Sequence, residues 1–310
     1  MPAPIAVFAF NRPDHLRKTL DALAANDLAH ESELTIFCDG PRNPQEREAT
    51  EAVRAVAREE RAFRSTSIVA HDANIGCAGA LIHGLSEMFD ANENVIVIED
   101  DVLCSPHTLR FLNTGLAKYR GEPTVFNISA WSPPPTLAKI SSDYPFDAYF
   151  VPRFNCWGWA AWRDRWNKVD WDMPDYEFFS TMPVLRQAFN CGGEELTQML
   201  SAQMEGRIDA WDIRMDYARF KHGCVGLNPV YSYTTNIGMG SGTHTTEYTD
   251  RLDNDLSLVL ADPRLPDHIF LDEDVVAAYR KAYSYTPPAL PIRIANKIWR
   301  TITGKNYFPV

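Results

Sequence analysis

The sequence predicts an α/β protein: a mainly parallel, Rossmann-like sheet flanked by helices. Three observations carry this expectation. Short, wholly apolar runs recur along residues 1–100. Each run ends in a polar or acidic tip. Each tip leads into a helical pattern, and this alternation favours a parallel sheet covered on both faces.

The elements follow in order. Residues 5–10 (IAVFAF) form a strand buried on both faces. Asn11-Arg12-Pro13 ends it, and Pro13 suits the first turn of a helix, where a missing N–H costs little. Residues 14–25 follow as that helix, with Leu16, Leu20 and Leu23 on one face. Residues 34–38 (LTIFC) make the second strand, closed by Asp39-Gly40-Pro41, and residues 45–61 a charged surface helix. Residues 67–70 are the third strand. Asn74-Ile75-Gly76 then turns the chain into a helix of small residues over 77–89. Residues 95–98 (VIVI) are the fourth strand, with Glu99-Asp100-Asp101 at its carboxyl end. Ligands of such sheets bind beyond the carboxyl ends of the strands, which is where all four polar tips fall.

After Val102 the texture changes. Residues 105–119 are expected as a helix, and residues 125–128 as a strand leading into Ser129-Ala130-Trp131. Pro133-Pro134-Pro135 marks a loop before an aromatic-rich segment over 149–171. Residues 182–205 are helical at both ends and broken by Gly192-Gly193. Residues 208–222 form a helix with Trp211, Met215 and Ala218 on one face, and residues 236–246 (NIGMGSGTHTT) a glycine- and threonine-rich loop.

Composition excludes several classes. The chain has 310 residues, enough for a sizeable core, and its 45% hydrophobic and 23% charged content is that of a soluble globular protein. A net charge of −11 argues against nucleic acid, whose phosphates need clustered Lys and Arg. A divalent cation standing between carboxylates and phosphates still permits nucleotide binding. Cys38, Cys77, Cys104, Cys156, Cys191 and Cys224 form no Cys-x-x-Cys pair, so reduced, mostly buried thiols in a cytoplasmic protein are expected. The apolar start lacks the basic region of a signal peptide, and no run reaches the ~18 apolar residues of a membrane span.

The acidic run is the strongest chemical signal. Three adjacent acids at the end of an apolar strand repel one another, and a bound cation relieves that repulsion. Hard oxygen ligands suit Mn²⁺ or Mg²⁺. Asp39 has two readings, a hydrogen-bond acceptor for a nucleobase or ribose and a turn former before Gly-Pro. Asn74 and Gly76 shape a helix entry whose N–H groups face anions or simply cap the helix. Six of the eight tryptophans lie between Trp131 and Trp171. Trp157 and Trp159 are open to either a sugar platform or the core. Trp162 and Trp166 share helical spacing with Trp159 and are expected in the core. A general base must reach an acceptor hydroxyl and stay ionised, and Asp212 competes with Asp209 and Asp216 for that place. His244, in the glycine-rich loop, is a candidate for a metal or a diphosphate.

The ordered set Phe8-Ala9-Phe10-Asn11-Arg12, Asp39, Asn74-x-Gly76 and Glu99-Asp100-Asp101 resembles the nucleotide-sugar half of GT-A fold glycosyltransferases. The chain is similar in particular to the N-acetylglucosaminyltransferase I group and to bacterial relatives described as hemolytic-protein-like sugar transferases. The likeness continues through the strand ending in Ser-Ala-Trp131, the Gly-Trp segment over 155–166, Trp211-Asp212, Asn228-Pro229 and the glycine-rich loop.

The resemblance implies a single catalytic domain over 1–250, with a nucleotide-sugar half over 1–124 and an acceptor-side half over 125–250. Residues 251–310 form a C-terminal extension. It implies sugar transfer from a UDP-sugar to a glycan, lipid-linked or other hydroxyl acceptor, inverting and metal dependent, as in bacterial polysaccharide biosynthesis. Asp101 of this DXD-like run, with His244, would bind Mn²⁺ or Mg²⁺. Asp100 would face the ribose, Glu99 the donor sugar and Asp39 the base. Phe10, Asn11, Arg12, Asn74 and Gly76 would complete the nucleotide-sugar site, and Trp131, Trp157 and Trp159 would meet a sugar. Asp212 would be the base; eukaryotic members carry a second acid after it, where this chain has Ile213.

Two other classes share parts of this pattern. A nucleotidyltransferase making the activated sugar should carry a basic, glycine-rich phosphate loop after the first strand, which Asn11-Arg12-Pro13 does not supply. A carbohydrate-binding protein on a decayed enzyme fold should have lost polar tips, which are complete here. The last stretch, residues 287–310, carries Arg293, Lys297, Arg300 and Lys305 without an acid. It fits either a docked terminal helix or an amphipathic contact with the inner face of a membrane.

Overall fold

A computed structural model describes residues 1–239 and 250–284. The first half runs β1 (Ile5–Ala9), α1 (Pro13–Ala24), β2 (Glu33–Cys38), α2 (Arg47–Ala57), β3 (Ser65–Ala70), α3 (Cys77–Ala91) and β4 (Asn94–Glu99). Next come β5 (Val102–Cys104), α4 (Thr108–Lys118), β6 (Val125–Ser129), β7 (Ala148–Val151), β8 (Trp159–Trp162) and α5 (Arg163–Trp166). Then follow α6 (Tyr176–Thr181), α7 (Pro183–Phe189), α8 (Leu196–Met204), α9 (Trp211–Lys221), β9 (Val225–Pro229), β10 (Thr234–Asn236) and α10 (Glu273–Ala282).

The central sheet has eight strands in the order β3-β2-β1-β4-β8-β6-β9-β7, with a small ribbon of β10 and β5 beside it. Four of its seven pairings are parallel, as the alternation predicts. The remaining three are antiparallel and all involve β8 or β7.

The apolar strands are covered on both faces. Ile5, Val7, Ile96 and Ile98 pack with Leu16 and Leu20 of α1. Ala6, Val95 and Val97 turn the other way, toward Leu81 and Leu85 of α3. This double burial explains why these strands are continuously hydrophobic rather than alternating.

The spacing of Trp159, Trp162 and Trp166 proves misleading. Residues 159–162 are a strand, not a helix, and only the short α5 follows. Trp159 belongs to the core layer on one face of the sheet and Trp162 to the layer on the other. A three-residue step puts side chains on opposite faces of a strand, whereas in a helix it would keep them together.

All six cysteines are free thiols, and three of them (Cys38, Cys104 and Cys224) are buried, fewer than expected. No helix among the described residues is long and apolar enough to cross a membrane. Near its end the described chain folds back: Val275 and Tyr279 of α10 pack against Tyr149 and Val151 of β7. The basic stretch over 287–310 lies outside the described residues.

Candidate active site

The carboxyl ends of β1, β2 and β4, with the turn after β3, open into one cleft of about 500 Å³. Phe10, Asn11, Arg12, Asp39, Asn74, Gly76, Glu99 and Asp100 all line it. Eight residues singled out from four separate strand ends therefore share one cavity. Register explains part of this: Phe8 of β1 pairs with Glu99 of β4, so the residues just beyond each strand emerge side by side.

The acidic run is fixed by backbone. Asp100 N–H donates to the Phe8 carbonyl at 3.0 Å, and Thr19 Oγ1 of α1 donates to the Asp100 carbonyl at 2.8 Å. The side chains of Asp100 and Asp101 converge on a single positive charge. Arg12 pairs with Asp100 Oδ1 and reaches Asp101 Oδ2 at 2.8 Å. The second oxygen of Asp101 accepts from Asn236 Nδ2 at 3.1 Å, and the Ile237 N–H donates to the Asp101 carbonyl at 2.8 Å. The β10–β5 ribbon thus lays residues 236–238 over the carboxylates.

The electrostatics follow from this crowding. Burial, then Asp101 and Asp100, push the Glu99 carboxyl well above the ordinary range. Burial also raises Asp100 to about 6, against the pull of Arg12. Burial works against the Arg12 charge, but Asp100 and Asp101 outweigh it and raise its pKa.

Asp100 binds protons in the folded chain between 3.8 and about 6, where an unfolded aspartate has lost them. Stability from this group is therefore lost as pH rises through that window. Asp100→Asn, which cannot titrate, should gain stability relative to the wild type between pH 4 and about 6 in paired melts without divalent cation. A constant difference in melting temperature would contradict the assignment.

Among the described residues no three His, Cys, Asp or Glu side chains gather as a complete ligand set. The donor chemistry nevertheless fits a divalent cation. Two adjacent carboxylates already face one cationic group, and Mg²⁺-type ions are commonly held by one or two carboxylates plus substrate phosphate. His244 lies outside the described residues.

Asp39 is buried and fully occupied. Its Oδ1 accepts from the N–H groups of Gly40 at 2.8 Å and Ile75 at 3.0 Å. Its Oδ2 accepts from Asn74 Nδ2 at 2.7 Å and the Gly76 N–H at 3.2 Å. The carboxylate ties the end of β2 to the turn before α3, and so shapes the wall of the cleft it lines.

The tryptophans divide. Trp159 is fully buried, stacked on Trp211 and met edge-on by Phe154, so it offers no face to a sugar and belongs to the core. Trp131 is 3% exposed and meets Trp157 edge-to-face at 4.8 Å, which places it in the core as well. Trp157 alone of the three is half-buried.

On the other side, Asp212 stands half-buried in the first turn of α9, where the Cys156 thiol points to its Oδ2 at 3.9 Å. Burial raises its pKa, against the Ile213 N–H first and the charge of Arg153 second. Its competitors are placed differently. Asp216 is buried and taken by the Phe154 N–H and by Arg219. Asp209 is exposed and lines the cleft near Gly76.

Several site residues went unnoticed in the sequence. Arg42 lines the cleft with its guanidinium 5.0 Å from the Phe10 ring centroid, and Cys77 sits at the start of α3. Arg42 was within reach of sequence reasoning, three residues after Asp39. Asn236 was not, because only the ribbon pairing brings it to Asp101.

Comparison with known proteins bears on the same cleft. Residues 2–123 match the family model described as glycosyltransferase like family 2. That region holds the first five strands and the acidic run, and it is less than half of the chain. The match marks a glycosyltransferase-family-2-like region and supports sugar transfer. No curated protein matches the chain.

Three solved structures show partial likeness. The mannosyltransferase PcManGT from Pyrobaculum calidifontis, in complex with GDP-Man and Mn²⁺, is 19% identical over 53% of this chain and 47% of its own, with a TM-score of 0.36. TarS of S. aureus is 16% identical over 42% of this chain and 21% of its own, with a TM-score of 0.28. An active-site variant of LgtC is 14% identical over 72% of each chain, with a TM-score of 0.41. The chain thus spans less than half the length of the first two.

Proposed function

We propose that the protein is a divalent-metal-dependent glycosyltransferase. It moves a hexosyl or N-acetylhexosaminyl group from a UDP-sugar to a hydroxyl of a glycan or lipid-linked acceptor, with inversion. Within that class the ordered motif set favours the N-acetylglucosaminyltransferase I group and its bacterial relatives. The observation that carries the reading is the convergence of all eight nucleotide-sugar candidates on one cleft, beside two carboxylates aimed at one positive charge.

Asp101 would hold the cation, Mn²⁺ or Mg²⁺, which when bound withdraws charge from the departing diphosphate. Arg12 adds a fixed positive charge at the same place. Asp100 faces the ribose and Glu99 the donor sugar. Asp39 shapes the base end by holding the turn before α3, and Phe10 offers the base an aromatic face backed by Arg42. Asp212 accepts the proton of the attacking hydroxyl. Its raised proton affinity suits a base, provided that it stays ionised at working pH. Trp157 is the remaining aromatic surface for a sugar ring. The protein would act in the cytoplasm, at a membrane face if the basic stretch over 287–310 engages lipid.

Incubation with UDP-glucose, UDP-galactose, UDP-N-acetylglucosamine and UDP-N-acetylgalactosamine tests this directly. Release of UDP from at least one donor, dependent on Mn²⁺ and lost with EDTA, is expected. No release from any donor, with conversion of UTP and a sugar 1-phosphate instead, would make the protein a nucleotidyltransferase.

The loop over the carboxylates gives a sharper structural prediction. A Cβ at Gly238 would collide with Asp101 Oδ2 and Arg12 Nη1. Gly238→Ala should therefore weaken metal-dependent UDP binding by about tenfold while leaving the melting temperature nearly unchanged, as measured by calorimetry and thermal melts. Unaltered binding would show that the loop yields freely.

A further inference from the structure

Arg12 supplies the positive charge that the acidic run needs, but it also takes oxygens that a cation would use. It caps the start of α1, directly beyond the end of β1. Its Nη2 donates a hydrogen bond to Asp100 Oδ1. Its Nη1 lies 2.8 Å from Asp101 Oδ2, as an ion pair whose N–H groups are off the hydrogen-bond line. That nitrogen is buried and makes no hydrogen bond among the described residues. One guanidinium therefore bridges an oxygen of each carboxylate, firmly at Asp100 and loosely at Asp101.

Asp101 has no carboxylate oxygen to spare. Oδ2 faces Arg12, and Oδ1 accepts from Asn236 Nδ2 at 3.1 Å. Segment 236–238 also closes over the pair. The Ile237 N–H donates to the Asp101 carbonyl at 2.8 Å, and the Ile237 carbonyl lies 3.2 Å from His15 Nε2 of α1. The Gly238 N–H donates to Asn236 Oδ1 at 2.8 Å. A Cβ on Gly238 would collide with both Asp101 Oδ2 and Arg12 Nη1. The segment is thus pinned to α1 and to the acidic run, with the ion pair beneath it.

We propose that Arg12 is a resident counter-ion, which withholds Asp101 from a lone divalent cation and yields it when a diphosphate arrives. This rests on the reading of Asp101 as the cation's carboxylate. The charges give the reason. A lone cation at Asp101 would set two further positive charges beside a guanidinium that the carboxylates already balance. A diphosphate brings negative charge that both cations share.

The exchange needs little movement. Arg12 keeps its hydrogen bond to Asp100, so its charge stays in the cleft. Nη1 has an unspent N–H and turns from Asp101 Oδ2 to a diphosphate oxygen, a charge-assisted bond of the stronger kind. Asp101 Oδ2 is thereby opened. Cation and nucleotide then bind as a coupled pair, each tightening the other.

The test is a Mn²⁺ titration of the full chain without nucleotide, read by the electron paramagnetic resonance of free Mn²⁺. It is run at about pH 8, above the raised range of Asp100. Arg12→Met keeps a long stem and loses the charge, and should bind Mn²⁺ about tenfold tighter than wild type. Arg12→Lys should stay closer to wild type than to Arg12→Met. UDP binding in saturating Mn²⁺ should move the other way, about tenfold weaker in Arg12→Met by calorimetry. The opposite signs are the signature. A distorted cleft would weaken both, and a phosphate anchor with no hold on Asp101 would weaken UDP alone.

Mn²⁺ binding by Arg12→Met no tighter than by wild type overturns the inference. If that variant does not fold, nitrogen NMR of wild-type protein labelled at arginine decides. The Arg12 Nε–H resonance, identified by its loss in Arg12→Lys, should hold its position in Mg²⁺ and shift once UDP is added. A shift with Mg²⁺ alone, or none with UDP present, overturns the inference. Absence of UDP release from every donor sugar would refute the proposed function, while the nucleotide-free Mn²⁺ titration still judges Arg12.

Discussion

Asp101→Ala should abolish metal-dependent binding of UDP, with a loss of at least ~100-fold in affinity by calorimetry in Mn²⁺. Asp101 is held at three points. Arg12 and Asn236 hold its two oxygens, and the Ile237 N–H holds its carbonyl. Its removal leaves Arg12 on Asp100 alone, so the fold of the cleft should survive while its cation-binding carboxylate is gone. Asp101→Asn keeps the shape but not the charge, and should fail nearly as badly. Unchanged affinity in either variant would move the ligand role elsewhere in the run.

The second large effect concerns turnover rather than binding. Asp212→Asn should lower kcat by ~10²–10⁴-fold, the range for removal of a positioned base, with donor KM little changed. Asp216 cannot take its place, because it is buried and already engaged by Phe154 and Arg219. Asp209 is the informative control. It lines the cleft near Gly76, so Asp209→Asn should act on donor KM more than on kcat. If the two variants show the reverse pattern, the base is Asp209.

The proposed donor half of this site was legible in the sequence for a definite reason. In a parallel sheet every strand delivers its last residues to the same edge, so Asn11, Asp39, Asn74 and Glu99 needed only correct strand ends to be grouped. The short apolar runs supplied those ends to within a residue or two. The acceptor side lacked that logic. β7 and β8 are four-residue strands buried on both faces, so neither shows the alternation that marks a strand. Trp159 and Trp162 then imitated a helix, and Trp159 stayed open between sugar platform and core, because the filling of its faces by Trp211 and Phe154 shows only in the fold.

Asp39 shows a subtler gap. Sequence position marked it as a residue of the cleft, and it is one. Its hydrogen bonds, however, go to the backbone and side chain of residues 74–76 and to Gly40, contacts that only the folded turn reveals.

The central claim is that this cleft binds a uridine diphosphate through a divalent cation at the acidic run. Isothermal titration of the wild-type chain with UDP and with GDP, in Mn²⁺ and again in EDTA, tests it most directly. The account predicts micromolar-range binding of UDP in Mn²⁺, about tenfold or more tighter than GDP, and no measurable binding in EDTA. Equal UDP binding with and without the cation, or none in either condition, would contradict it.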